Sequence, residues 1–338
     1  MTDYTLGTVI SSRIRLARNI NGYPFPAKLK SDRQAKEIIR SVSSAIDNVD
    51  EFDLKYMDGI PEEEGLKLVE NRLISPALLQ TPSRSAVLLN AKGDISIMIN
   101  EEDHLREQCI RSGMAIRQAY ADLSEKDSRI ARSLPFAYDE QLGYLTACPS
   151  NLGTGLRASV MLFLPAISLG GLLPDVIKSA RRLGLTVRGA YGEGSQAQGY
   201  TYQLSNEITL GVTEANVLST VEQVVSKVVE IEASERERLK CGSQGLEIKD
   251  KCLRAYGILT NCALLPHEEF DRLCADLKLA VCLGYVKTND ISALDELMIK
   301  MKPFNLNVIA GRTLQQKERD EQRATYVANR IKSLVYRA

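Results

Sequence analysis

The chain has 338 residues, with 43 Lys+Arg against 43 Asp+Glu, two His, no Trp and seven Cys. Zero net charge leaves no global field for coating nucleic acid or an anionic membrane, so any positive site has to be local. His104 and His267 alone leave almost nothing from which to build a Ser-His-Asp triad or a multi-histidine zinc centre.

At 44% hydrophobic and 25% charged residues, the composition is that of an ordinary globular protein long enough for two domains. The N-terminus lacks a signal-peptide layout, which points to the cytoplasm. The apolar stretch between Arg157 and Asp175 is short for a membrane span and broken by Pro165, Gly170, Gly171 and Pro174. The cysteines form no C-x-x-C pair, as expected of reduced thiols.

In chain order, the first segment of interest is Ser11-Ser12-Arg13-Ile14-Arg15-Leu16-Ala17-Arg18-Asn19. If it is extended, Arg13 and Arg15 point the same way and form a fork for phosphate oxygens; the plainer alternative is a solvated basic strand. Residues 85–90 and 94–100 read as a hairpin turning at Gly93, with Ile95, Ile97 and Ile99 on one face. The hairpin delivers Asn100-Glu101-Glu102-Asp103-His104-Leu105-Arg106, an acidic cluster that could hold a cation and accept its proton, or simply an acidic turn.

Strands are expected at 143–148, 185–189 and 200–210, and a helix at 156–169. Cys148-Pro149-Ser150-Asn151-Leu152-Gly153-Thr154-Gly155-Leu156-Arg157 carries a G-x-G that is neither a P-loop nor a dinucleotide fingerprint. Its glycines suggest close backbone approach to a ligand, with Arg157 opening the next helix. Arg188-Gly189-Ala190-Tyr191-Gly192-Glu193-Gly194-Ser195 is a glycine-rich turn after a strand, or a mobile loop.

From Thr213 a helical repeat of valines begins behind a Thr-Glu cap signal. A boundary is expected within 235–245, followed by about four helices at 253–264, 267–283, 291–300 and 314–337. In the last of these Arg319 and Arg323 are i, i+4 neighbours around Asp320, Glu321 and Gln322, with Ala324 next. They could grip a phosphate jointly or belong to a surface salt-bridge ladder. The expected class is α+β: a largely antiparallel sheet flanked by helices over residues 1–237, then a small all-α domain over 238–338.

Together the strings SSRIRLARN, NEEDHLR, CPSNLGTGLRASV and RGAYGEG resemble the catalytic core of the phosphagen (guanidino) kinases. GLRASVM, YGEGS and the late RDEQRA, which matches an RDxxRA phosphoarginine-receptor motif, are most similar to the bacterial protein-arginine kinases of that superfamily. The resemblance implies phosphoryl transfer from ATP with Mg²⁺ to arginine side chains of proteins. With ten residues ahead of Ser11, it also implies a site lacking the N-terminal helical domain that encloses small guanidines.

By the same resemblance Arg13, Arg15, Arg106, Arg157 and Arg188 hold the nucleotide phosphates. Ser11, Ser12, Ile14, Ala158, Ser159, Val160, Met161, Gly189, Ala190, Tyr191, Gly192 and Glu193 complete the nucleotide site, and no side-chain metal ligands are expected. Glu102, with Glu101 and Glu193, would bind the incoming guanidinium and accept its proton, and Cys148 lines the site. Arg319 to Ala324 would bind phosphoarginine and regulate activity allosterically.

The implied partners are arginine-bearing proteins, an activator protein, a Clp-type ATPase or protease, and a second copy of the chain; direct nucleic-acid binding and membrane association are not expected. The sequence departs from the family pattern at Arg72, which stands where a nucleotide-contacting histidine commonly precedes the LISP-like string and could itself stack on adenine or contact phosphate, or impair ATP binding, and at Gln196, where a glutamate is usual. The alternatives are a kinase of free arginine or another small guanidine, and a decayed phosphoarginine-binding regulator.

Overall fold

In the computed structural model, residues 7–46, 52–189 and 198–337 are described. The elements in order are β1 (Val9–Arg18), α1 (Asp32–Ile46), β2 (Phe52–Tyr56), α2 (Glu62–Glu70), β3 (Ala86–Asn90), β4 (Ile95–Ile99), β5 (Leu105–Ser112) and α3 (Ile116–Ser133). There follow β6 (Tyr138–Asp139), β7 (Gly143–Tyr144), β8 (Leu156–Phe163), α4 (Pro165–Leu169), α5 (Leu173–Arg182), β9 (Leu185–Gly189), β10 (Thr201–Asn206) and α6 (Glu214–Cys241). The C-terminal part holds α7 (Gly245–Asn261), α8 (His267–Cys282), β11 (Val286–Thr288), α9 (Ser292–Lys300), α10 (Pro303–Ala310), α11 (Gln316–Leu334) and β12 (Val335–Arg337).

Eight strands form one sheet in the order β2-β3-β4-β5-β1-β8-β10-β9, with every adjacent pair antiparallel. Because side chains alternate along each strand, register sorts the sheet into two faces. Ile14, Leu16, Ala158, Val160, Leu162, Leu204, Leu185 and Val187 share one face, which buries them against α3, α5 and α6; α1 covers Leu88, Ile97, Ile99 and Leu105 on that same face.

The opposite face carries Arg13, Arg15, Arg157, Ser159, Gln203 and Arg188 along its middle. It is capped at one end by α2 through Leu68 on Val87, Leu89 and Met98, and at the other by the C-terminal helices, whose core includes Phe163.

The α+β class, the hairpin and the capped helix at Thr213, whose side chain accepts from Asn216 N, are as expected, but several local readings change. Residues 156–163 are a strand, and only 165–169 are helical. A central strand covered on its inner face keeps Leu156, Ala158, Val160 and Leu162 apolar, and Met161 with the following Phe163, Leu164 and Pro165 turns the alternation into a continuous apolar run. Arg157 therefore stands within a strand and does not open a helix.

In the 143–148 segment only Gly143 and Tyr144 join a ladder. Five helices, not four, follow the boundary segment among the described residues, since α10 fills 303–310. The glycines of the G-x-G meet protein instead of a ligand. A Cβ on Gly153 would lie 2.3 Å from Thr209 O, and one on Gly155 would lie 2.5 Å from Arg18 Nη1.

Candidate active site

Strand register builds the site. Arg15 lies directly opposite Arg157, Arg13 opposite Ser159, and Arg188 opposite Gln203; Arg106 faces Ala17, one step along the same face. Like charges directly opposite one another destabilise a sheet, so this row costs folding energy that an anionic ligand would offset. From β5 to β9 it crosses five strands, about 19 Å at the usual interstrand spacing.

A cleft of about 330 Å³ opens over it, lined by Arg15, Arg106, Arg157, Arg188, Glu102 and Cys148 among others. Arg13 reaches the same wall by donating to Gln203 Oε1 at 3.1 Å.

The field of the row is visible in its titration. Burial, then the charges of Arg72 and Arg106, push the Arg13 guanidinium down to about 10. Burial, then Arg13, Arg106 and Arg157, push Arg15 well below its ordinary value, with Glu101 opposing. Arg157 is lowered by burial and by Arg188, against Cys148 and Glu207. The direction in each case records mutual repulsion and lost solvation among guanidinium groups, which do not give up their protons in proteins. Arg15 Nε is buried and makes no hydrogen bond among the described residues, so part of this donor set is held ready and unspent.

The acidic cluster divides by role. Glu101 is committed: Arg106 Nη1 donates to its Oε1 at 2.7 Å and its Oε2 at 2.9 Å, and Ser75 Oγ donates to Oε1 at 2.5 Å. Burial raises its pKa, but Arg106 and Ser75 outweigh burial and hold the carboxyl below the usual range. Asp103 is buried, pushed up by that burial, and accepts from Asn19 Nδ2 and Ala147 N. His104 is wholly buried, accepting from Ile20 N and facing Pro24 O. Glu102 alone is exposed, lines the cleft, and has a carboxylate without a hydrogen bond or ion pair among the described residues.

Cys148 lines the cleft with Sγ 3.1 Å from Ser150 Oγ. Ser11 and Met161 share the arginine face with Ser159. Ser12, Ile14, Ala158 and Val160 face the core, so only their backbone could reach a nucleotide; Ser12 Oγ donates to Gly113 O. Gly189 ends β9, and Ala190, Tyr191, Gly192 and Glu193 lie outside the described residues. Sequence reasoning missed Gln203, Ser205, Glu207 and Ser75; the polar alternation Thr201, Gln203, Ser205 was the available signal for the first two.

At the far end of the chain, Arg323 is buried. It donates to Leu265 O, Met301 O and Asp320, while Arg319 donates to Leu314 O. The Asp320 partner is as the ladder reading expects, but Arg323 does not sit at the surface.

A cage of three or more ligating side chains for a metal is absent among the described residues. Magnesium, which keeps waters and substrate oxygens in its shell, fits this cleft when it is carried by phosphates. No helix among the described residues is long and apolar enough to cross a membrane.

Comparison with known proteins agrees with this geometry. The family of the ATP:guanido phosphotransferase C-terminal catalytic domain matches residues 34–235, and that of the protein-arginine kinase McsB C-terminal domain matches residues 245–337. The chain is 41% identical to a protein-arginine kinase of Geobacillus stearothermophilus over 329 residues, 96% of this chain and 90% of that one. It is also 41% identical to one of Clostridium kluyveri over 334 residues, 97% and 96%.

Among solved structures, the duplicated taurocyamine kinase of Schistosoma mansoni with transition-state-analog components superposes with a TM-score of 0.65 and 26% identity. That match covers 78% of this chain and 40% of the duplicated one. A lombricine kinase superposes at 0.61 and 25%, covering 72% and 69%.

Proposed function

Because the chain belongs to the ATP:guanido phosphotransferase family and, within it, to the protein-arginine kinases, we propose that its cleft transfers the γ-phosphoryl of ATP to arginine side chains as follows. The triphosphate lies along Arg106, Arg15, Arg157 and Arg188, with Arg13 and Arg72 behind. Phosphoryl transfer needs positioning and neutralisation of oxygens more than covalent help, and a row of fixed guanidinium groups supplies both. Mg²⁺, bound through phosphate oxygens and water, adds charge neutralisation. Cys148 and the backbone of residues 157–161 and 188–189 complete the pocket.

Glu102 receives the incoming guanidinium. That group has a pKa above about 12, so a carboxylate orients it and takes its proton late: the N–P bond forms, the γ-phosphorus to β-phosphate oxygen bond breaks, the N–H proton passes to Glu102, and ADP leaves. Glu101 holds Arg106 in line, and Glu193 would add a second carboxylate. The observation that carries this reading is the convergence of four arginines on one cleft beside Glu102, whose carboxylate has no partner among the described residues.

Residues 238–338 would form a dimerisation and phosphoarginine-sensing domain behind a catalytic domain of residues 1–237, using Arg319 to Ala324. Buried Arg323, bonded to the backbone of two neighbouring segments, supports a sensor that reports to its surroundings. Control of Clp-type degradation in the cytoplasm, with an activator protein, completes the reading.

The test is incubation with ATP, Mg²⁺ and an unfolded protein, beside free arginine, followed by mass spectrometry without acid treatment. Phosphoarginine in protein is expected. Transfer to free arginine alone would point to a small-guanidine kinase, and no transfer with a competent control would sink the assignment.

A further inference from the structure

Between α2 and Ser75 the chain turns sharply. Arg72 N donates to Val69 O and Leu73 N to Leu68 O, both at 2.9 Å. This is the bond pair that closes a helix around a left-handed residue, and Arg72 is that residue, with φ 62°. Glycine takes this conformation freely, whereas a side chain there costs about 1–2 kcal/mol. Strain of this size is what a functional side chain can justify.

The turn is gripped from two sides. From β5, Gln108 Nε2 donates to Arg72 O at 2.6 Å and to Leu73 O at 3.0 Å. From the C-terminal helices, the first turn of α10 donates to the Glu70 carboxylate: Phe304 N to Oε1 at 3.1 Å, and Asn305 N and Nδ2 to Oε2 at 2.9 and 3.1 Å. Lys302 Nζ adds a bond to Glu70 O at 3.2 Å. The last residue of α2 thus caps a helix 234 positions away in sequence.

Two residues on, the charge of Arg72 reaches Arg13 on one side and Asp295 and Lys302 on the other. The carbonyl of Arg72 is held by Gln108, which lies directly opposite Arg15, and Glu70 two residues back is held by Lys302 and α10, so the turn stands where the arginine row meets the C-terminal helices.

We propose that Glu70 is a positioning residue for the nucleotide clamp: by capping α10 it fixes the left-handed turn from which Arg72 enters the arginine cluster, so the C-terminal helices hold one arm of the clamp. This rests on the reading that Arg72 meets the nucleotide, and the test separates the two. ADP with Mg²⁺ is titrated calorimetrically into the full chain, its Glu70→Ala and Arg72→Ala variants, and the double variant, with thermal melts of each.

Loss of a charged phosphate contact should weaken ADP binding at least about tenfold in Arg72→Ala. Glu70→Ala should show a comparable part of that loss in the native background and less than about twofold once Arg72 is gone, since coupled residues are non-additive. KM for ATP should rise more than kcat falls. An equal Glu70→Ala loss in both backgrounds, or none in the native one, overturns the positioning role while leaving Arg72 in the clamp. Unchanged affinity in Arg72→Ala removes Arg72 from the clamp and this proposal with it. If Glu70→Ala does not fold, Glu70→Gln and Asn305→Ala, each removing part of the cap, are read by the same cycle.

Discussion

Replacing Glu101 and Glu102 one at a time by glutamine should produce opposite phenotypes, although the two are neighbours of one residue type. Glu101 has 3% of its side chain exposed and is paired with Arg106, which keeps 27%. Breaking a buried pair costs about 3–5 kcal/mol, and solvent at Arg106 places this case at about 3. With about 2.1 cal/mol/K of unfolding entropy per residue, about 3 kcal/mol in a chain of this length is roughly 4 °C, so Glu101→Gln should melt roughly 4 °C lower and bind ADP more weakly as Arg106 loosens.

Glu102 has no hydrogen-bond or ion-pair partner among the described residues, so Glu102→Gln should melt within about 1–2 °C of the native chain and bind ADP normally. Its phosphoryl transfer should fall by about 10²–10⁴, the usual worth of a positioned proton acceptor. Scanning calorimetry, ADP titration and acid-free detection of phosphoarginine read all three quantities. If Glu102→Gln turns over normally, or if Glu101→Gln is thermally silent while transfer vanishes, the division of labour between the two carboxylates is wrong.

Other expectations concern charge in and around the row. Arg157→Met removes one of two directly opposed cations, so the ligand-free protein should melt at an equal or higher temperature while ADP affinity falls at least about tenfold; parallel losses of both would refute the stored-repulsion argument. His104 is held neutral, mainly by burial, with its pKa down to about 4. Because the unfolded chain takes up that proton near 6.5, stability should drop as pH falls from about 6.5 to 4, by an amount on the order of 3 kcal/mol. His104→Gln should flatten much of that acid limb in melts against pH, and His267, also near 4 through burial, carries the remainder.

Glu107 is fully buried beside Asp127, and burial, then Asp127, raise its pKa well above the usual range. The folded state therefore keeps a proton that the unfolded chain has lost, and stability declines as pH rises above the ordinary carboxylate value. Glu107→Gln should gain on the native chain with rising pH, and a constant gap between the two would count against it. Cys148→Ala should slow transfer less than tenfold, because its Sγ has Ser150 as hydrogen-bond partner and neighbours but does not anchor the row; complete loss would make it essential.

Several of these features were legible in the chain. The alternation of Arg13 and Arg15 about Ile14 already placed two guanidinium groups on one face, and the hairpin ahead of Asn100 already delivered the carboxylates to a strand end. Residues 156–163 were misread because the apolar alternation of this central strand runs through Met161 into Phe163 and Leu164 without a break, which looks like a buried helix. The glycines of the G-x-G carried no sign that their neighbours would be Thr209 and Arg18 instead of a ligand.

Nothing local distinguishes Glu101 from Glu102, or foretells that Arg72 would occupy a left-handed turn braced by Glu70 against α10. The sequence by itself determined the chemistry available and the local parity of each strand, because side-chain alternation and turn preferences act over a few residues. Only the tertiary structure decided which charges meet: the register that sets Arg15 against Arg157, the burial that spends Glu101 and spares Glu102, and the cap joining residues 70 and 304. Those depend on pairings between segments far apart in the chain, and Coulomb energy and desolvation follow distance in space rather than distance in sequence.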